Sequence, residues 1–338
     1  MTYSKFSSRF LQIRPVRLGY NFDPPETTGA MKVRITPGLQ LSDLLVYILV
    51  PVTAFFLPAA LSRRLVRRVA DWDWVLRGEV EACHAYAAQY TPITHAQEWK
   101  RRWRMVVMLD ARDLFLLTWG RSRAVLNEIS GSEQIAQARD RVLVGMHWGP
   151  SISILKLLHS HDMRPLLVYR QVERDLLRSR PFYYLFLKKA IRYIRQTCGD
   201  RAVPVRGASD ALRKCLPEKG TSIVVLDAPP APGRSTLSGT VLGWPVQFNA
   251  GFPELLRDSG RQHQFYAISL QPGSEALKIL EMTDPKPAGS TAALVEDYCA
   301  YLGQHIDKDS AQWRIWQVAS QFFLERKQET ERPTQEAP

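Results

Sequence analysis

The chain has 338 residues, 45% of them hydrophobic, so it can bury a sizeable core as one large domain with extensions or as two small domains. Its formal net charge of +12 suits an anionic partner: nucleic acid, a lipid headgroup surface or a phosphorylated carrier. The cysteines lie far apart without CxxC or Cys/His spacing, which argues against a zinc site or a disulfide framework and favours a reducing compartment.

The two ends of the chain lack the pattern of a folded domain. Residues 1–40 are polar, hold several Gly and Pro and show no periodicity, and residues 326–338 read RKQETERPTQEAP. We predict a disordered leader over 1–40 and a disordered tail over 326–338. The start of translation stays open between Met1 and Met31.

Residues 44–61, LLVYILVPVTAFFLPAAL, form a long run without a charge. A helix needs about 20 apolar residues to span the hydrocarbon core, so this run is at the short limit, and Pro51 and Pro58 are expected to kink it. It starts too late for a signal peptide. The arginines that follow favour a membrane surface; they are Arg63, Arg64, Arg67 and Arg68. We predict a hydrophobic membrane anchor with a basic flank over 41–70, either spanning or monotopic, with a buried core helix as the alternative.

The stretch after this segment is predicted to be helical to about residue 138, and from residue 141 short β-rich runs alternate with helical ones. The predicted strands are 141–146, 165–169, 221–227, 240–243 and 264–270, and the predicted helices are about 150–160, 181–197, 207–216, 250–259 and 290–306. This alternation predicts an α/β fold with a mostly parallel or mixed central sheet and helices on both faces. The α/β domain would cover 71–325, preceded by the N-terminal hydrophobic membrane helix and a helical region.

Three polar residues follow predicted strands: His147, Arg170 and Asp227. Ligands of such sheets gather at the carboxyl ends of the strands. The chain has no glycine spacing typical of phosphate or dinucleotide binding and no GxSxG motif, and its histidines have no metal-ligand spacing. A neutral imidazole in such a place can take a proton from a hydroxyl that attacks an acyl carbonyl. It works best when a carboxylate holds its other nitrogen.

Several blocks of the sequence resemble, in order, those of the lysophospholipid acyltransferase-like superfamily, closest to the bacterial lipid A biosynthesis lauroyl/myristoyl acyltransferases. The blocks are GMHWGPSISILKLL, PLLVYRQVERDLLRSRPFYYLFLKKAIRYI, AVPVRGASDALRKCLPEKGTSIVVLDAPPAPGRS, TVLGWPVQFNAGFPELLRDSG and AQWRIWQVASQFF, the last resembling a closing tryptophan-rich helix. The resemblance covers roughly 41–325, and it lies more in the order of the blocks than in any one of them.

The resemblance implies a membrane-associated acyltransferase that moves a fatty acyl chain from an acyl thioester, on acyl carrier protein or coenzyme A, to a hydroxyl of a lipid or glycolipid. His147 would be the general base, and the substrate-binding positions would be Arg170, Arg174, Arg178, Arg234, Gly251 and Ser151. The family needs no metal and no cofactor besides this co-substrate. The implied location is the bacterial inner membrane, with the catalytic domain on the cytoplasmic side and membrane lipids as partners. Nucleic acid is not expected as a partner, because no RNA- or DNA-binding module is present.

One departure from the family concerns the catalytic acid, which lies five residues after the family's histidine and is replaced here by Ile152. Loss of the orienting carboxylate can cost on the order of 10⁴ in rate in a serine protease. Four explanations are open. Asp227 can take over this role, Ser151 or Ser153 can hold the ring, the acceptor can need less activation, or the chain is a catalytically degenerate member that binds lipid or a partner protein. The acyl chain, the acceptor, the carrier and the oligomeric state are also open.

Overall fold

The computed structural model describes residues 36–205, 208–230, 233–273 and 276–325. The predicted tail over 326–338 and the predicted leader up to residue 35 lie outside the described residues. The leader was predicted to extend to residue 40, but a helix begins at Pro37. Thr36 caps this helix by accepting a hydrogen bond from the Leu39 amide at 3.3 Å, and Pro37 at the first helical position favours its start.

The helices alternate with strands along the chain after a helical N-terminal region. The α-helices are α1 Pro37–Leu44, α2 Val50–Phe56, α3 Ala59–Ala70, α4 Arg77–Tyr90, α5 Ala96–Thr118, α6 Ser122–Leu126, α7 Ile154–Ser160, α8 Asp175–Ser179, α9 Pro181–Cys198, α10 Ala208–Cys215, α11 Gly251–Ser259 and α12 Thr291–Asp309. The strands are β1 Ile129–Ser130, β2 Val142–Gly145, β3 Leu166–Tyr169, β4 Ala202–Pro204, β5 Ser222–Val225, β6 Thr236–Val241, β7 Trp244–Asn249, β8 His263–Leu270 and β9 Lys278–Met282.

The main sheet has seven strands in the order β1-β9-β8-β2-β5-β3-β4. Strand β2 lies between β5 and β8 and runs parallel to both, and β3 runs parallel to β4 and β5. At the other edge β9 is antiparallel to β8, and β1 pairs with β9. The predicted α/β fold with a mostly parallel, mixed sheet is therefore confirmed.

Alternate residues of the strands pack into two different apolar clusters. Val142 and Val144 of β2 belong to a cluster that includes residues of α4 and α12, whereas Leu143 packs with residues of α7 and with Tyr193 of α9. Such a strand is buried on both faces, which explains why β2 reads as a continuous apolar run. The α5 helix contributes to both clusters and holds them together.

Three predictions about local structure are wrong. The stretch that was predicted to be helical to about residue 138 contains the strand β1 at Ile129–Ser130, which pairs with β9. The predicted strand 240–243 is the end of β6 and a turn at Leu242 and Gly243, which leads into an antiparallel hairpin with β7. Both turn residues have positive φ angles, 52° and 74°, and such a two-residue turn suits the twist of a hairpin. The closing tryptophan-rich segment is not one helix. It consists of 3₁₀ turns at Ser310–Gln312 and Trp316–Gln321, with a bridge between Trp148 and Trp313.

The hydrophobic N-terminal segment forms one helix over Pro37–Phe56, called the N-terminal helix below, with a π-helical turn at Leu45–Leu49 between α1 and α2. The prolines act at the predicted places. Pro51 has no N–H that could donate a helical hydrogen bond to the Tyr47 carbonyl, and Tyr47 lies in the π-helical turn just before it. The helix ends before Pro58. By length and composition it is the one helix in the described part of the chain that could cross a membrane, and 39% of its most apolar window is buried against the protein.

A buried ion cluster attaches the N-terminal helix to the rest of the protein. The Arg180 guanidinium donates to Asp43 at 2.5 and 2.8 Å and also to Glu79, and it lies over the ring of Tyr183 with its central carbon 4.6 Å from the ring centroid. Asp43 is fully buried. Burial raises the pKa of Glu79, against the nearby guanidinium. One arginine therefore compensates two carboxylates that are both out of water.

Arg180→Ala should lower the free energy of unfolding by about 3–5 kcal/mol, because it leaves buried carboxylates without their cation. Arg178→Ala is the matched control, because Arg178 is exposed on α8 and its loss should cost no more than about 0.5 kcal/mol. Urea unfolding followed by tryptophan fluorescence measures both values. Equal stabilities of the two variants would contradict the structural role of Arg180.

Candidate active site

His147 and Asp227 lie side by side because of the register of β2 and β5. The last residues of the two strands, Gly145 and Val225, are paired in parallel register. His147 and Asp227 each follow two residues later, and the Leu226 amide extends the ladder to the Gly145 carbonyl at 3.2 Å. The two residues therefore meet at the carboxyl edge of the sheet.

The Asp227 carboxylate receives three hydrogen bonds. Its Oδ1 lies 2.8 Å from Nδ1 of the His147 ring, and its Oδ2 accepts from the His147 backbone N–H at 2.8 Å and from the Trp313 indole N–H at 2.7 Å. The carboxylate is completely buried. Three donors are the arrangement that compensates an ionised carboxylate for the loss of water.

This contact selects the tautomer of the His147 ring. A carboxylate accepts hydrogen bonds, so in the neutral ring the proton sits on Nδ1 and the lone pair on Nε2. The ring side chain is 25% exposed, whereas the Asp227 side chain has no exposure. The histidine is therefore oriented from the buried side, and part of its ring faces the solvent side of the sheet edge.

The neighbours of the pair are two buried phenols. Burial, and after it the charge of Asp227, raises the pKa of Tyr266 and also that of Tyr298, so both phenols stay protonated at neutral pH. The Tyr298 hydroxyl donates to the Gly145 carbonyl at 3.1 Å. The Tyr266 ring lies so close to Gly145 that a Cβ there would come within 2.7 Å of it, which requires glycine at this strand end.

The loop that carries His147 is held by the closing segment of the chain. Gly149 donates from its amide to the Gln312 carbonyl at 2.9 Å, and Arg314 donates to the His147 carbonyl at 2.8 Å. Gly149 has a φ of 50°, and a Cβ on it would lie 2.0 Å from the Ile268 carbonyl oxygen. Backbone strain and close approach both call for glycine here, so any other residue at this position would have to displace the loop.

Ile152, at the family's acid position, does not contact the Asp227 carboxylate. Its side chain packs against the cluster of α7 and α9, and its amide donates to Oδ1 of Asp110 at 3.2 Å. The other oxygen of Asp110 pairs with Arg314 at 2.6 Å. Asp110 is thus a second carboxylate beside the loop that the sequence did not point to, but its bonds go to an amide and an arginine.

The serines proposed as alternative partners of the ring do not take that place. Nδ1 contacts Asp227, and the Ser153 hydroxyl is buried without a hydrogen-bond partner among the described residues. Ser151, predicted to bind substrate, begins the 3₁₀ turn before α7 and is partly exposed.

Among the predicted substrate-binding arginines, Arg170 follows β3 at the same carboxyl edge of the sheet as His147 and Asp227. The register of β3 and β5, with Leu166 opposite Ser222, puts Arg170 level with Leu226 one strand away from Asp227. Its side chain is 34% exposed and contacts Glu173 at 3.4 Å. Arg174 and Arg178 are exposed at the start and end of α8.

Arg234 and Gly251 lie further along the chain after β5. Arg234 is exposed in the segment before β6. Gly251 is the first residue of α11, and a Cβ there would meet no atom within 4 Å. Packing within the protein therefore does not demand a glycine at this position. A search of the described residues finds no group of three or more His, Cys, Asp or Glu side chains that could hold a metal ion.

Trp313 is the site residue that sequence reasoning missed. It lies in the quoted block AQWRIWQVASQFF, but a helix in that block would give no reason for its indole to reach a strand end. A buried tryptophan needs an acceptor for its N–H, and a buried carboxylate needs donors, so the two residues satisfy each other. The structure explains this pairing, because the closing segment crosses the ends of β2 and β5.

A search against models of known protein families finds no match for this chain, and a search of curated protein sequences finds none either. The resemblance of its motif blocks to the acyltransferases therefore stays a prediction.

Proposed function

We propose that this protein is a membrane-associated acyltransferase of the lipid A late-acyltransferase type, with His147 as general base and Asp227 as the carboxylate that orients it. The observation that carries the proposal is the contact of 2.8 Å between Nδ1 of His147 and Oδ1 of Asp227. Through this contact Asp227 provides the carboxylate that the family's motif has at the position of Ile152. The order of the sequence blocks supports the acyl-transfer chemistry.

The proposed reaction uses the free lone pair of the neutral ring tautomer. Nε2 takes the proton from a hydroxyl of a lipid or glycolipid as its oxygen attacks the carbonyl carbon of an acyl thioester. The imidazolium that forms is stabilised by the buried Asp227 carboxylate. The tetrahedral intermediate expels the thiolate of acyl carrier protein or coenzyme A, and the imidazolium returns the proton to it. The products are an ester and a thiol.

The proposed place of the reaction is the cytoplasmic face of the bacterial inner membrane. The N-terminal helix exposes several large apolar side chains to solvent: Leu41, Leu49 and Phe56, with Phe56 75% exposed. Burying such side chains in lipid gives about 1.5–3 kcal/mol each. We propose that this helix contacts membrane lipids and that Arg170, Arg174 and Arg178 face phosphates of the acceptor or of the carrier.

A second candidate function is a catalytically degenerate family member that binds lipid or a partner protein. The replacement of the motif acid by Ile152 favours it, since the family's usual orienting contact is lost. The two candidates differ in what His147 does, because a binding protein does not need a base at a strand end.

His147→Ala should abolish transfer of a radiolabelled acyl chain to membrane lipids, because no other described group at this strand end is positioned as its replacement. Thin-layer chromatography of the lipid products gives the measurement. His263→Ala is the control: His263 is buried at the opposite end of the sheet, where β8 begins, and its loss should leave transfer measurable. Transfer at the parent rate by the folded His147→Ala protein would refute the assignment of the base.

Asp227→Asn should lower the rate constant at least tenfold, that is by about 1.4 kcal/mol or more of barrier, because the amide cannot stabilise the imidazolium. Trp313→Phe should lower it by a smaller factor, since it removes one of the three donors that hold the carboxylate. Steady-state rates across pH give the measurement for both variants.

Trp316→Phe is the matched control for Trp313→Phe. The Trp316 ring is equally buried, lies 4.6 Å from the Trp313 ring and donates its N–H at 2.7 Å, but to the Ser310 carbonyl. Its replacement tests the loss of a buried indole hydrogen bond without touching Asp227. Equal rates for Trp313→Phe and Trp316→Phe would remove the Trp313 hydrogen bond from the mechanism, and a parent-like rate for Asp227→Asn would remove the carboxylate itself.

A further inference from the structure

The α9 helix exposes a stripe of one apolar and several basic side chains. Leu185 is 52% exposed, and the exposed positions that follow at helical spacing are Lys188, Arg192 and Arg195. Between Pro181 and Cys198 the sequence contains no acidic residue. The opposite side of the helix is buried through Tyr193 and Cys198 in the cluster with α7. This stripe, Leu185 to Arg195, is called the α9 face below.

The helix lies alongside the N-terminal helix and runs in the same direction. Tyr47, in the middle of the N-terminal helix, contacts Tyr183 and Phe186 near the start of α9, with ring centroids 4.9 Å apart in each pair. Towards the end of the N-terminal helix, Phe55 packs on Trp119 at 5.1 Å, and the Lys189 ammonium lies 4.9 Å from the Trp119 ring centroid. Arg192 and Arg195 therefore continue beyond the end of the N-terminal helix.

Both helices pack on α5 and contact each other, so their solvent-exposed sides adjoin and form one surface. On the N-terminal helix this surface carries Leu41, Leu49 and Phe56, and on α9 it carries Leu185. Trp119, 41% exposed, lies between the two helices. The surface is thus apolar along the two helices and basic at one end, as in helices that lie in the membrane interface.

The cations of the α9 face lack the carboxylate partners that three other exposed cations of this protein have. Arg257, Lys286 and Lys308 each contact a carboxylate at 2.7, 2.7 and 3.3 Å. No carboxylate lies within 4.0 Å of Lys188, Arg192 or Arg195 in the part of the chain that the structure describes. Burial, and after it the charge of Arg192, lowers the pKa of Lys189. Positive charge is therefore concentrated here without internal compensation.

We propose that the α9 face is a second membrane-binding element that binds anionic lipid headgroups while the N-terminal helix inserts beside it. Each lysine or arginine near an anionic membrane contributes about 1 kcal/mol, so three of them contribute about a hundredfold in binding. The proposal rests on the membrane association proposed above and adds the lipid class that the protein recognises. It also orients the protein, because the two helices would lie along the membrane rather than across it.

An acidic carrier protein would also be attracted by these cations. The exposed leucine in the same stripe and the continuity with the apolar surface of the N-terminal helix favour lipid, since both would be buried in the interface. A protein partner that contacts the cations alone would leave these side chains in water.

The test is the binding of the full chain to two kinds of vesicle, one of phosphatidylcholine alone and one with phosphatidylglycerol added, measured by flotation. The triple variant Lys188→Gln, Arg192→Gln, Arg195→Gln should lose about a hundredfold of its partitioning onto the anionic vesicles and keep its partitioning onto the neutral ones. Added salt should reduce the difference between the two kinds of vesicle.

The matched control is the triple variant Arg257→Gln, Lys286→Gln, Lys308→Gln, which removes the same charge from exposed positions outside α9. It should bind anionic vesicles within about threefold of the parent. Equal losses in the two variants would show an unspecific effect of net charge and overturn the proposal. The proposal would also be overturned if the α9 variant bound vesicles like the parent but was saturated less well by acyl carrier protein. That result would assign the α9 face to the carrier. A parent chain that binds neither vesicle would overturn membrane association as well.

These outcomes are independent of the chemistry at His147. His147→Ala should bind both kinds of vesicle like the parent, since its ring lies at the sheet edge and not on the α9 face. A protein without acyl-transfer activity that still needs α9 to bind anionic vesicles would refute the proposed function and support this inference.

Discussion

The buried Asp227 carboxylate is the constraint on which the candidate site depends. It sits without exposure at the end of β5, and it is compensated by the ring and the amide of His147 and by the indole of Trp313. These donors come from the end of the neighbouring strand and from the closing segment of the chain. If the register of β2 and β5 slipped by one residue, or if the closing segment were detached, a charge would remain in the interior without partners, which is costly. Fold and site are thus coupled through one carboxylate.

In the proposed mechanism the orienting acid comes from a different element than in the family that the sequence resembles. There it belongs to the motif block itself, five residues after the histidine. Here that position packs in the apolar cluster as Ile152, and Asp227, 80 positions after His147 in the chain, contacts Nδ1. The chemistry needs a carboxylate beside Nδ1 and is indifferent to the strand or helix that carries it. The cluster of buried charges around Arg180 serves the fold and not the proposed chemistry, because it holds the N-terminal helix against α4 and α9.

The parts of this structure that could be predicted depend on local pattern. The apolar run before His147 predicts a buried strand, and the position of Asp227 at the end of another predicted strand made it one of the four explanations that the sequence left open for the missing acid. Three features depend on tertiary contacts and could not be predicted. The short β4 has little pattern of its own, β9 begins with Lys278, which is fully buried only because Asp113 and Glu128 surround it, and the turn at Leu242 takes a φ that leucine seldom adopts. Trp313 was hidden for the same reason, because its acceptor lies far away in sequence.

The central claim is that Asp227 holds the His147 ring with its proton on Nδ1 and its lone pair on Nε2. Long-range ¹H–¹⁵N correlation spectra of protein labelled in histidine, with His147→Ala to assign the signals, report the protonated nitrogen of each neutral ring directly. The account predicts a protonated Nδ1 and an unprotonated Nε2 for His147 in the parent protein, and loss of this preference in Asp227→Asn. A neutral His147 ring protonated at Nε2 in the parent protein would contradict it.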